Sequence, residues 1–172
     1  RPVSRLDRHG MAAWWQSADV AAADFRRILP ILPWLRPLLG ALGRMHEQGV
    51  VHADVKPANI LFRSPTDSGV GDAVLTDFGI CSEAGAAGVA GTPGYIAPER
   101  LDGDPADPRD DVYAIGRILE DLLDAREQAE LSDADRDATR TEARKLTKVA
   151  LACLRDAADR PASAAEVLRL ID

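Results

Sequence analysis

Apolar residues recur at three- and four-residue steps through Leu32, Leu35, Leu38, Leu39, Leu42 and Met45. That spacing predicts a buried helix over residues 31–48, with Gly49 ending it and Pro37 either tolerated or kinking it. A second stripe, Val112, Ile115, Ile118, Leu119, Leu122 and Leu123, predicts another strong helix. A final pair is expected over about 141–154 and 163–171, with Ser163 as a cap and Glu166 at the capping-box position. Short apolar runs at Val50-Val51, Asn59–Phe62 and Ala73–Thr76 read as strands, the last two joined by a polar loop carrying Pro65, Asp67, Ser68, Gly69 and Gly71. Ahead of these, Val3–Leu6 reads as the end of a strand and Asp7–Gly10 as a loop. Residues 11–17 read as a short helix with Trp14 and Trp15, and Ser17 or Asp19 could cap a helix carrying Phe25, Ile28 and Leu29. Residues 83–91 are Gly/Ala-rich with little to pack, and are expected to be mobile. Residues 126–140 are charged and weakly patterned.

Composition narrows the classes. A chain of 172 residues fits one domain, and such a domain buries roughly 70% of its unfolded surface. The net charge of −7 speaks against a nucleic-acid partner and suits basic peptides. No apolar run reaches the roughly 20 residues of a membrane span. Cys81 and Cys153 are far apart without metal-like spacing, which reads as two reduced thiols and a cytoplasmic location.

The chemistry is concentrated in His52-Ala53-Asp54-Val55-Lys56-Pro57-Ala58-Asn59 and in Asp77-Phe78-Gly79, which begins eighteen residues after Asn59. An Asp, a Lys, an Asn and a second Asp in that order are what phosphoryl transfer needs. One carboxylate orients an attacking hydroxyl, the Lys offsets phosphate charge, and the Asn and second Asp offer hard oxygens to Mg²⁺.

Three further segments join them: Gly91-Thr92-Pro93-Gly94-Tyr95-Ile96-Ala97-Pro98-Glu99, Asp111-Val112-Tyr113-Ala114-Ile115-Gly116, and Arg160-Pro161. Together and in this order the five resemble the C-terminal lobe of a eukaryotic-type Ser/Thr protein kinase. The resemblance implies a mainly α fold of the α+β family, a helical bundle with short β-hairpins at the catalytic loop. Residues 1–10 would be a hinge remnant and residues 11–172 the lobe. It implies Asp54, Lys56 and Thr92 as catalytic residues. ATP with Mg²⁺, or Mn²⁺, would be held by Asn59 and Asp77, with Leu61 either the apolar floor under adenine or an ordinary strand residue. His52 and Phe78 would stack in a spine, Asp111 would accept N–H bonds from the catalytic loop, and Glu99 would pair with Arg160. The Lys at position 56 resembles Ser/Thr rather than Tyr kinases.

The pattern departs in three places. Ala53 stands where many members carry an Arg that meets a phosphorylated activation loop. Between Gly79 and Pro93 the only hydroxyl side chains are Ser82 and Thr92. Activation without loop phosphorylation is therefore expected. No Gly-rich loop or partner Lys precedes residue 52, so the upper lobe is expected to be missing from this chain, leaving His52 and Phe78 as an exposed apolar edge for that lobe or for a partner protein. Residues 126–140 are expected to be too short and polar for the helix that docks substrates. Two other readings stay open. One is a kinase-derived binding module with little activity. The other is a small-molecule kinase of the aminoglycoside phosphotransferase type, against which Lys56 and the Gly91–Glu99 segment speak.

Overall fold

The computed structural model describes residues 30–62, 73–129 and 131–172. The expected hinge at 1–10, the helices carrying Trp14, Trp15 and Phe25, and the polar loop at 63–72 lie outside the described residues.

Helix α1, Leu32–Glu47, follows the leucine spacing and buries Trp34, Leu35, Leu38, Leu39 and Leu42. Its first N–H group is capped from far away: Leu32 N donates to Glu142 Oε1 at 2.8 Å. Pro37 lies inside the helix. Its missing N–H leaves the carbonyl of Pro33 without its usual helical donor, and both prolines lie on the exposed face. Gly49, at φ +71°, turns the chain out of the helix. Strand β1, Val50–Val51, follows. A 3-10 turn at Pro57–Asn59 leads into β2, Ile60–Phe62, which pairs antiparallel with β3, Ala73–Leu75, in the register Ile60 with Leu75 and Leu61 with Val74.

Strand β4, Ser82–Glu83, pairs antiparallel with β1. The segment after it, expected to be mobile, is tethered through its backbone. Ala84 N donates to Gly49 O at 2.8 Å, Gly85 N to Ala106 O at 2.6 Å, and Ala106 N to Ala86 O at 2.8 Å. Small side chains deprive it of packing but leave its peptide groups free to pair.

A short helix α2, Pro98–Leu101, precedes α3, Pro108–Gln128, which starts in a capping box between Asp107 and Asp110. Helix α4, Asp133–Cys153, is capped by Ser132, and α5 is Ala164–Ile171. Helix α4 thus begins eight residues before the expected start. The polar stretch 126–140 is the end of α3 and the opening turns of α4, apart from the connection between them. Arg126, only 8% exposed, binds the two together through Thr139 Oγ1 (3.1 Å) and the Arg136 carbonyl (3.1 Å). Ser163 occupies the N-cap position of α5 without a side-chain bond, and Glu166 accepts from Ala162 N at 2.7 Å, one residue before the cap, so the expected capping box does not form.

One core joins α1, α3, α4 and α5 around Trp34, Leu39, Leu42, Ile115, Leu119 and Val167. Helices α3 and α4 approach closely at Gly116, where a Cβ would stand 2.8 Å from Cys153 Cβ. Both cysteines are free, and burial pushes the Cys153 thiol up to about 12. Among the described residues no helix is long and apolar enough to cross a membrane.

Candidate active site

The loop between β1 and the 3-10 turn carries the site, and a buried carboxylate beneath it sets its shape. Asp111, 1% exposed at the start of α3, accepts from Ala53 N at 2.9 Å through Oδ1 and from His52 N at 2.8 Å through Oδ2. His46 adds a third bond to Oδ2, at 2.9 Å. Since Ala164 N donates to His46 Nδ1 at 3.1 Å, the ring hydrogen sits on Nε2 and is given to Asp111. These bonds hold Ala53 at φ +66°, a left-handed conformation that a residue with a Cβ adopts at a cost of roughly 1–2 kcal/mol. Bonds to a buried carboxylate stabilise by about 1.5–3 kcal/mol each, so the strain is outweighed.

On that frame Asp54, Lys56 and Thr92 close a triangle. Lys56 Nζ donates to Asp54 Oδ2 at 2.7 Å and to Thr92 Oγ1 at 2.7 Å, and Thr92 Oγ1 donates to Asp54 Oδ1 at 2.6 Å. Asn59 Nδ2 donates to the Asp54 carbonyl at 2.9 Å and to Oδ2 at 3.2 Å. Burial by itself raises the Asp54 carboxyl, but the bonds and charge from Lys56, Thr92 and Asn59 outweigh it and hold the group below its ordinary range. Asp54 is therefore an anion, ready to accept a hydrogen bond.

Asp77 is tied to the same loop through its two neighbours. Its predecessor Thr76 donates to the Asn59 carbonyl through N (2.9 Å) and Oγ1 (3.1 Å), and the Thr76 carbonyl accepts from His52 Nε2 at 3.1 Å. Its successor Phe78 sets a ring edge against His52, centroids 5.2 Å apart. Asp77 itself is exposed at φ +62°, a conformation that Asp tolerates. Asn59 spends its amide N–H groups on Asp54, which leaves an amide oxygen as its remaining polar atom. The donor set, one amide oxygen and one carboxylate, suits a hard cation that completes its shell with phosphate oxygens and water. Among the described residues no group of three His, Cys, Asp or Glu forms an all-protein metal cage.

The expected apolar edge is only half as sequence reasoning draws it. His52 is fully buried, its ring held by Thr76 and by Asp54 N (3.3 Å to Nδ1), whereas Phe78 is 54% exposed. Leu61 and Val74, cross-strand partners, are both half-buried. Below the loop, Arg160 grips Glu99 with a two-nitrogen fork, Nη1 to Oε1 and Nη2 to Oε2 at 3.2 Å. The guanidinium also donates to the carbonyls of Arg155 and Arg109 and lies 5.0 Å over the Tyr113 ring.

The order of segments, the closed triangle and the bridged Thr76–Asn59 contact coincide with a family match over the same stretch. A family model described as the protein kinase domain matches residues 31–171. This chain belongs to the protein kinase domain family. The family resemblance read from the five motifs and the mainly helical fold class agree with it. Similar curated proteins include the Serine/threonine-protein kinase PknL of Mycobacterium tuberculosis, 43% identical over 95 residues, or 52% of this chain and 23% of that protein. Serine/threonine-protein kinase PknK of the same organism is 39% identical over 119 residues, 66% of this chain and 9% of that protein. PkaA of Streptomyces coelicolor, also named a serine/threonine-protein kinase, is 41% identical over 92 residues, 50% of this chain and 17% of that protein. The matched part is thus under a quarter of each of these kinases' length.

Two residues that sequence reasoning missed belong to this kinase-family site. His46 was detectable, because a polar residue four positions after Leu42 sits on the buried face of α1. Thr76 carried no such signal, since its importance lies in a carbonyl and an N–H that any residue possesses.

Proposed function

We propose that this chain is the catalytic-loop half of a Ser/Thr protein kinase, and that a protein containing it transfers the γ-phosphoryl group of ATP to Ser or Thr hydroxyls. The observation that carries the reading is the Asp54 carboxylate held anionic between Lys56 and Thr92. In this reading Asp54 accepts the hydrogen bond of the substrate hydroxyl and aims its oxygen at the phosphorus. Lys56 offsets the charge of the moving group, and Thr92 keeps the two in register. The Asn59 amide oxygen and the Asp77 carboxylate would hold Mg²⁺ or Mn²⁺, which supplies charge neutralisation on the phosphates. Leu61, with Val74 beside it, would offer an apolar floor to adenine. An upper lobe would sit on the edge marked by Phe78, with residues 1–10 as the hinge to it and residues 11–172 as the lower lobe. The two free thiols fit a reducing, cytoplasmic setting.

The test is transfer of labelled phosphate from ATP to a generic basic protein by the full-length protein. Asp54→Ala and Asp77→Ala are each expected to lose about 10²- to 10⁴-fold in rate while remaining folded. Transfer unaffected by either substitution overturns the reading. A docking module is the second reading, favoured by the exposure of Phe78 (54%) and Ile80 (38%). Absence of Mg-nucleotide binding by titration calorimetry in the full-length protein, together with capture of a partner that Phe78→Asp abolishes, would favour it.

A further inference from the structure

Arg100 follows Glu99 directly and takes no part in the Glu99–Arg160 pair. It is a large cation only 3% exposed. All three of its guanidinium nitrogens are engaged. Nη1 donates to the Asp104 carbonyl, Nη2 to the Gly88 carbonyl, and Nε lies 3.2 Å from Asp110 Oδ2. These partners come from three separate places: the turn after α2, the segment between Asp77 and Thr92, and the first turn of α3. A buried guanidinium is costly unless it is paired and its donors are used. The cost is met here by bringing the Gly88 carbonyl in from a segment that has almost no side chains of its own.

The clamp adjoins the catalytic loop. Ala53, Arg100, Asp110 and Asp111 line one small space. Three residues after Gly88, Gly91 passes so close to the loop that a Cβ on it would stand 2.8 Å from the Ala53 carbonyl oxygen. Thr92 comes next and reaches Asp54 and Lys56. A continuous path of contacts therefore runs from Arg100 through Gly88 and Gly91 to Thr92.

We propose that Arg100, anchored by Asp110, is the positioning residue that holds segment 84–91, and through it Thr92, against the catalytic loop without a phosphate. Position 53, from which an Arg would reach out to a phosphorylated loop, holds an Ala. The cation comes instead from beyond Glu99 and engages a backbone carbonyl, which needs no modification. The consequence at Thr92 rests on the kinase reading above; the clamp on the segment does not.

The anchor responds to acid. Burial pushes the Asp110 carboxyl up to about 6, opposed by the Asp107 N–H bond and the charge of Arg100, and reinforced by Asp111 and Glu99. Asp107 N donates to Oδ2 at 3.0 Å, while Oδ1 has no hydrogen-bond partner. Protonation removes the charge that holds Nε, so the hold on Gly88 loosens as pH falls through about 6.

Hydrogen exchange tests the clamp without relying on phosphate transfer. The reporting amides in the full-length protein are Gly85 and Ala106, which bridge the segment to the turn before α3. Arg100→Ala and Asp110→Asn are expected to speed exchange there by about tenfold or more, with amides of α1 and α5 unchanged. Arg100→Lys keeps the charge but not the fork, and is expected to fall between them and wild type. In wild type, protection at Gly85 relative to the intrinsic rate should fall as pH is lowered through about 6; in Asp110→Asn it should be low and flat. Phosphatase treatment should leave protection intact. If Arg100→Ala does not fold, Asp110→Asn and Arg100→Lys carry the test. Protection unchanged in the variants, lost equally in α1 and α5, or dependent on phosphate overturns the proposal. Should the clamp hold while transfer from ATP is absent, the kinase reading alone fails.

Discussion

Thr92 Oγ1 donates to Asp54 at 2.6 Å and accepts from Lys56 at 2.7 Å, so one hydroxyl reads the position of both charged groups at once. A carboxylate and an ammonium in contact could slide along one another. A third atom bonded to each removes that freedom.

Removing this hydroxyl is expected to disturb chemistry more than stability. In the full-length protein, Thr92→Val should lower kcat by on the order of 10²-fold, with KM for ATP little changed. Thr92→Ser, which keeps the bonds, should retain most of the rate. The stability loss for the Val variant should be about 1 kcal/mol in urea unfolding. A KM effect without a kcat effect would place Thr92 in nucleotide binding instead.

Two carboxyls should give opposite pH signatures. Asp54 is held below its ordinary value of 3.8, so its contribution to stability is present above that value and lost as pH falls further. Asp110 is raised to about 6. The folded state therefore prefers its proton, a preference fully expressed below about 3.8 and lost as pH rises through about 6. Measured against Asp110→Asn, wild-type stability should decline by up to about 3 kcal/mol between pH 4 and pH 8. A relative gain over that interval would contradict the assignment.

Glu99→Ala leaves the Arg160 guanidinium, its side chain 1% exposed, without its counter-charge. Glu99 is itself 19% exposed, and the backbone carbonyls of Arg155 and Arg109 remain. The expected cost is about 3 kcal/mol, the low end for a broken buried pair. Equilibrium unfolding of Glu99→Ala, Arg160→Met and the double variant should show strong coupling. Additive losses would mean that the two residues act separately.

Gly91→Ala meets a backbone obstacle as well as a conformational one. At φ +126° a Cβ is strained, and the Ala53 oxygen would be 2.8 Å away. A loss of about 2 kcal/mol is expected, because neither backbone can retreat without giving up the Asp111 or Thr92 bonds. An unchanged denaturation midpoint would show that the two loops do not touch in solution.

Metal dependence separates the two oxygen donors from the triangle. Asp77→Asn in the full-length protein should abolish the gain in nucleotide affinity on adding Mg²⁺ while leaving denaturation unchanged, because Asp77 is exposed. Titration calorimetry with ATP plus Mg²⁺ or with a chelator reads this directly. A Mg²⁺ effect undiminished in Asp77→Asn would assign the metal elsewhere.

The chain wrote some of this in local code and some not at all. The leucine stripe of α1 and the apolar stripe of α3 were readable because each helix buries one face against one core, and burial leaves a period of 3.6 residues. That Asp54, Lys56 and Asn59 stand together was readable for a similar reason, since a single tight loop presents all three. The start of α4 was not readable. Its first turns are polar and are stabilised by Arg126 reaching across from α3. Tethering of residues 84–86 was equally hidden, because backbone bonds to Gly49 and Ala106 carry no side-chain signature.

Residue order alone therefore determined which groups are available within each loop and which faces of the helices turn inward, because both depend on neighbours a few positions apart. Tertiary structure decided the pairings: Thr92 with Asp54, Arg100 with Gly88, and Asp111 with the N–H groups of His52 and Ala53. Each joins segments more than ten residues apart through one or two short bonds. Such bonds form only once the core has set the distance between the elements that carry them.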